Sequence, residues 1–289
     1  MQNSTRKVFQ VIDGTRKMVG DGFDVTSPMP GSRIRQLSPF LLIDHTGPMV
    51  VAPTENPLGA DPHPHRGFET VTIVYQGFLA HRDTAGYSGK IGPGDVQWMT
   101  AGSGLLHEER HEKEFSKKGG TLELVQLWVN VPKKDKLHPP RYQELSSAII
   151  PSIAIDNGNA VIRVVAGTYE AITGPAKTFS PITILDVLQK AGTTIQLNIP
   201  ADYNTGIYVI KGKAEINGKQ VKDKQLVNFG WDAETIVVNC TSTITFLVLA
   251  GEPIEEPLAT YGPFVMNTNK ELIQAMEDFN SGKMGKFED

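Results

Sequence analysis

Two pairs of side chains, each two residues apart, carry the chemistry open to this chain. His63 and His65 stand in DPHPHRGFETVTIVYQ (61–76), and His107 and Glu109 in WMTAGSGLLHEERH (98–111). A β-strand points residues i and i+2 to the same face, so each pair presents two donors side by side. Two such pairs facing each other make a mononuclear metal site. Imidazole nitrogen and carboxylate oxygen without thiolate favour iron(II), manganese, nickel or copper over a structural zinc site, although zinc accepts the same donors. Four protein ligands leave octahedral positions open for water, dioxygen or substrate, which distinguishes a catalytic site from a closed one.

The identity of the carboxylate stays open on spacing alone. Glu69 follows His65 by four residues, so a continuous strand would point it to the same face, and Glu109 has the matching parity on the other stretch. Glu108 should point away. His111 shares the parity of His107 but falls where the strand should end. Glu69 and Asp61 are also candidates for holding a ligand histidine in place. His81, in LAHRD, lines the cavity or is an ordinary strand residue, His45 reads as structural or cavity-lining, and His138 as exposed. All seven histidines lie at or before position 138. If the two halves share a fold, only the first is equipped for metal.

Other chemistries find no support. Gly102-Ser103-Gly104 lacks the Lys-Ser/Thr of a phosphate loop, and no serine occupies a G-x-S-x-G elbow. The net charge is −4 with no long basic cluster, which argues against direct nucleic-acid binding. The single cysteine, Cys240, excludes an internal disulfide and reads as a small buried filler. No apolar run is long enough to cross a bilayer, and the first residues lack the pattern of a signal peptide, so a cytoplasmic setting is expected.

The elements that must position the two pairs read as β. A first strand is expected over 6–13, a buried strand over PFLLID (39–44), and loops over 24–36 and 45–62, the second leading into His63. FETVTIVY (68–75) is rich in β-branched and aromatic residues. Further strands are expected over 78–83, 96–100 and 122–131, the last with Val125, Leu127, Val129 and Val131 on one side. EKEFSKKGG (112–120) reads as a charged, solvated loop. PKKDKLHPP (132–140) reads as a linker, which divides the chain into an N-terminal metal-binding domain, 1–135, and a C-terminal domain, 136–289. The second half repeats the β style over 161–165, 183–188, 193–199, 206–216, 225–229, 235–238 and 243–250, with Asn217-Gly218 marking a hairpin. The expected class is all-β, with two similar barrels. Only 268–279 reads as helix: Thr268 and Glu271 form a capping box, Leu272, Ile273, Met276 and Phe279 an apolar stripe, and Gly282 a terminal cap.

HPHRGFETVT (63–72), GDVQWMTAGSGLLHEE (94–109), PFLLIDHTGP (39–48) and GPFVMNT (262–268) closely resemble the pirin family of the cupin superfamily, and the likeness covers nearly the whole chain. The resemblance implies two tandem cupin (jelly-roll) β-barrels ending in a helix, with metal in the N-terminal barrel only. It implies iron held at His63, His65, His107 and Glu109. It also implies Glu109 as the carboxylate, because pirins use that position where most other cupins use the position of Glu69. The chain departs from the pattern in carrying Glu108 beside Glu109 and Arg110-His111 after it.

Pirins are associated with quercetin 2,3-dioxygenase activity, which opens a flavonol ring with dioxygen. The resemblance therefore implies a flavonol-like substrate in the N-terminal barrel. Glu109 would be both ligand and candidate base for the flavonol hydroxyl. Eukaryotic pirins also act as redox-sensitive transcription cofactors. That makes a metal- or redox-sensing regulator the alternative, with segment 112–120 meeting a protein partner. A cupin enzyme acting on another small molecule is a third reading, and fold alone does not choose among them.

Overall fold

The computed structural model describes residues 4–29 and 37–287, so the last part of the loop expected over 24–36 lies outside the described residues. The chain forms two compact units, and neither is a single stretch of sequence. One comprises Met1–Thr15, Pro28–Leu41 and Ala148–Pro253, the other Arg16–Ser27, Leu42–Ser147 and Ile254–Asp289. This differs from a linear division at residue 135, and strand pairing gives the reason. Val8–Asp13 pairs antiparallel with Gln225–Phe229, which draws the first strand to the later half. Arg141–Leu145 pairs with Val96–Thr100, which keeps the expected linker region with the earlier half.

The supposed linker is built into the structure. Lys133–Asp135 makes one 3₁₀ turn, and the next residue, Lys136, is buried. Its Nζ donates to the carbonyl oxygens of Gly67 (2.7 Å) and Val265 (3.1 Å) and to Asn130 Oδ1 (2.7 Å). Three acceptors satisfy the three donors of an ammonium group, which is how a lysine in a polar stretch comes to be enclosed.

The unit that contains the histidines has two sheets. The larger runs in the order Arg141–Leu145, Val96–Thr100, Phe68–Gln76, Gly120–Asn130, Phe40–Val51, Phe23–Met29 and Thr15–Val19. The smaller runs Gly59–His65, Leu105–His111, Leu79–Asp83 and Ser88–Ile91. Phe23–Met29, Phe40–Val51 and Gly59–His65 replace most of what reads as loop in the sequence. Prolines obscured these strands, since a residue with no backbone N–H argues against a central strand position. EKEFSKKGG is likewise not a loop. Lys113–Lys118 is a helix whose first turn is capped by the Glu112 carboxylate accepting from the Phe115 N–H (2.9 Å).

The other unit repeats the plan. Its larger sheet runs from Val8–Asp13 to Ser152–Ile155, and its smaller one is Thr193–Asn198, Thr235–Cys240, Lys213–Ile216 and Lys219–Lys222. Its interior is a continuous aliphatic cluster that includes Ile162, Leu185, Val187, Ile207, Phe246 and Val248, with Cys240 buried among them. Asn217 and Gly218 both have positive φ (43° and 79°) between Lys213–Ile216 and Lys219–Lys222, as the hairpin reading requires. The fold is thus mostly β, with two cupin barrels and one C-terminal helix. That helix, Asn269–Asn280, begins at Thr268, whose side chain accepts from the Glu271 N–H. Its inward face carries Leu272, Ala275 and Asp278, while Ile273 and Phe279 of the expected stripe are exposed.

Candidate metal centre

The two donor pairs lie on neighbouring strands. Leu105–His111 runs antiparallel to Gly59–His65, with His107 opposite His63 and Leu105 opposite His65. A bulge follows His107, so Glu109 falls opposite Ala60. The imidazoles of His63, His65 and His107 offer ligand atoms that all lie within 4.8 Å of one another, and this group could hold a metal ion. Nε2 of His63 is 2.9 Å from Nε2 of His107. Two nitrogens bound at right angles to one ion, each at about 2.1 Å, stand about 3 Å apart, so the spacing fits a shared metal.

The tautomers and charges fit as well. His63 Nδ1 lies 2.7 Å from the Asp61 carbonyl oxygen, an acceptor, so the ring proton is on Nδ1 and Nε2 is free to bind. Asp61 therefore does hold a histidine, but through its backbone; its exposed carboxylate pairs with Arg110. Burial pushes the pKa of His65 and His107 well below the ordinary histidine value, and neighbouring histidines add to the effect. Both rings are thus neutral, the form a metal requires.

Glu109 lines the same cavity but is not one of the three clustered groups. Its Oε2 accepts from Gln126 Nε2 (2.8 Å) and its Oε1 from the Thr72 hydroxyl (3.4 Å). Burial raises its pKa, while the hydrogen bonds from Gln126 and Thr72 pull it part of the way back down. Glu69 takes the other face. Gly67 (φ 83°) lies in the break between Gly59–His65 and Phe68–Gln76, so counting parity from His65 to Glu69 across a continuous strand fails. Glu69 instead accepts from the Thr100 hydroxyl (2.6 Å), and burial pushes its pKa to about 7.

The remaining candidates are not among the three clustered groups. Glu108 points away from the cluster and pairs with Arg82 and Arg110. His111 Nε2 is 3.0 Å from the Gly22 carbonyl oxygen, and buried His45 is 3.3 Å from Glu123. His81 stands opposite Glu109 in the ladder and stacks on Tyr142 with centroids 4.9 Å apart. Burial lowers its pKa to about 4.

A cavity of about 310 Å³ opens onto the cluster. Its apolar wall includes Phe23, Val25, Leu42, Leu79, Leu124 and Trp128, and its polar lining adds Lys17, Asp44, Thr46 and Gln126 to the site residues. Sequence reading missed this wall. The signal was available in LELVQLWVNV, where Leu124, Gln126 and Trp128 form the face opposite Val125 and Leu127.

Residues 22–129 match the pirin family, and residues 184–285 match the pirin C-terminal cupin domain. The chain belongs to the pirin family. A pirin from Rattus norvegicus is 35% identical over 288 residues, covering 98% of this chain and 94% of its own length. A Pseudomonas aeruginosa protein, provisionally named as a quercetin 2,3-dioxygenase, is 46% identical over 272 residues, covering 94% and 95%. The crystal structure of quercetin 2,3-dioxygenase from Acinetobacter baumannii superposes with a TM-score of 0.95 at 42% identity, covering 98% of this chain and 99% of that one. Among the described residues, no helix is long and apolar enough to cross a membrane.

Proposed function

We propose that this pirin is a metal-dependent dioxygenase of the quercetin 2,3-dioxygenase type, with iron(II) held by His63, His65, His107 and Glu109. The observation that carries the reading is the convergence of three imidazoles, two of them neutralised by burial, at one end of an apolar cavity. The similarity to the Acinetobacter baumannii enzyme supports the choice of substrate class. The ion supplies Lewis acidity toward the flavonol oxygen and the means to use dioxygen.

The chain's own residues supply the rest. Glu109 accepts the proton of the flavonol 3-hydroxyl on a carboxylate oxygen. The Gln126 amide and Thr72 hydroxyl hold that carboxylate in place. Neutral His65 and His107 keep their lone pairs available for the ion. Trp128, whose ring lies 5.4 Å from that of His65, and the aliphatic wall exclude water and hold a planar ring system. Aerobic incubation of the iron-loaded protein with quercetin should consume dioxygen and release carbon monoxide. Absence of turnover with iron, manganese, nickel and copper alike overturns the proposal.

A further inference from the structure

The cavity carries a second polar feature that metal binding does not use. Lys17, on Thr15–Val19, reaches the cavity and pairs with Asp44 on Phe40–Val51 at 3.1 Å. Ser27, on the intervening strand Phe23–Met29, donates its hydroxyl to the same carboxylate. The Asp44 side chain is only 12% exposed, whereas Lys17 is 40% exposed. These three strands are consecutive in the larger sheet, whereas His63, His65 and His107 lie on the smaller one. Facing sheets pack about 10 Å apart, so a ligand touching both features is an elongated molecule that bridges the barrel.

Apart from Thr46 and Gln126, the rest of the lining is mainly apolar and aromatic, with Phe23, Val25, Leu42 and Trp128. The chemistry of the Lys17–Asp44–Ser27 cluster narrows the ligand further. A carboxylate accepts and an ammonium donates, so a group that both donates and accepts satisfies the pair without adding net charge. A ring hydroxyl does this. A carboxylate or phosphate substituent would meet the Asp44 charge, and an amine would meet Lys17.

We infer that Lys17, Asp44 and Ser27 form a recognition site for a ring hydroxyl of a planar polyphenol whose other end lies at the metal. The inference rests on the flavonol reading above and deepens it: the site selects flavonols hydroxylated on the ring remote from the metal-binding oxygens. Lys17 and Asp44 determine specificity here and take no part in the reaction.

The test is equilibrium binding, without turnover, of quercetin and of 3-hydroxyflavone to the metal-loaded protein under anaerobic conditions. The second probe has the metal-binding oxygens but no hydroxyl on either of its other two rings. Hydrogen bonds to charged groups are worth about 1.5–3 kcal/mol, which is about tenfold or more in affinity. Quercetin should bind at least about tenfold tighter to the unaltered protein, and Lys17→Met and Asp44→Asn should each bring the ratio to about threefold or less. Ser27→Ala, a smaller change, should lower it part of the way, and retained metal content checks that each variant is folded. An unchanged ratio in folded variants overturns the inference and leaves the flavonol reading standing. Failure of both probes to bind the unaltered protein overturns both.

Discussion

Gly67 sets the geometry of the site, and its replacement gives the sharpest test of that claim. It has φ 83°, and a Cβ built there would stand 2.1 Å from the Val265 carbonyl oxygen and 2.8 Å from Met266 Sδ. Left-handed backbone costs an L-residue about 1–2 kcal/mol. The Val265 contact is to backbone, so the strand Phe264–Met266 must also move. That strand is held by the Val265 N–H donating to the Arg66 carbonyl (3.0 Å) and by Lys136 Nζ donating to the Val265 carbonyl (3.1 Å). Weakening one neutral and one charged hydrogen bond costs about 2–4 kcal/mol. Gly67→Ala should therefore destabilise by about 3–6 kcal/mol in all. Gly86 is the control: it lies in the same unit with φ 92° and has nothing within 4 Å of its would-be Cβ. Gly86→Ala should show only the backbone cost, about 1–2 kcal/mol. The assay is the urea midpoint and slope for both variants, with metal content alongside. Gly67→Ala should also bind less metal, because Arg66-Gly67 joins the histidine strand to Phe68–Gln76. Equal losses for the two variants would refute the close-approach argument.

His63→Ala, His65→Ala and His107→Ala should each remove most of the bound metal, measured by elemental analysis, whereas Glu108→Ala, paired only with Arg82 and Arg110 among the contacts seen, should leave it in place. Asp278 supplies a pH dependence. Lys283 and then Arg66 hold its pKa down to about 2, so its stabilising contribution is complete above the ordinary aspartate value of about 4 and is lost as pH falls through about 2. The difference in urea midpoint between the unaltered protein and Asp278→Asn should be constant from pH 7 to about 5 and shrink below about 4. A difference that persists at pH 2 would contradict the ion-pair origin.

Much of this architecture was legible because strands and turns advertise themselves locally. Phe68–Gln76 and the Asn217-Gly218 turn follow from β-branched runs and turn chemistry, and the Thr268 cap from a four-residue pattern. The i, i+2 spacing likewise identified three histidines that the fold brings together. What was not legible depends on pairings distant in sequence. Nothing local tells that Val8–Asp13 finds Gln225–Phe229, or that Lys136 finds the carbonyls of Gly67 and Val265. Parity failed for Glu69 because it assumes a continuous strand, and a break holding a glycine with positive φ separates His65 from the strand that carries Glu69. The same residue type was visible in the sequence, but a glycine that kinks and a glycine that merely fits look alike there.

The two barrels share a plan and differ in what fills them, and that difference bears on how the chain is divided. The barrel without histidines closes on Ile, Leu, Val and Phe side chains. The other leaves about 310 Å³ open beside its histidines, so fewer apolar side chains meet across its interior. A hollow, functional barrel needs apolar contacts elsewhere. The chain's last segment provides them: Phe264, Met266, Leu272, Ala275 and Met284 form one buried cluster against Leu106, next to His107. Thr84 donates its hydroxyl to the Met284 carbonyl (2.6 Å), and Arg66, next to His65, binds Asp278 of the terminal helix (2.9 Å). The C-terminal helix thus braces both histidine strands from the side away from sequence order. A cut at residue 135 would remove that brace, so a fragment ending there should lose metal and cooperative unfolding together, although it retains all four proposed ligands.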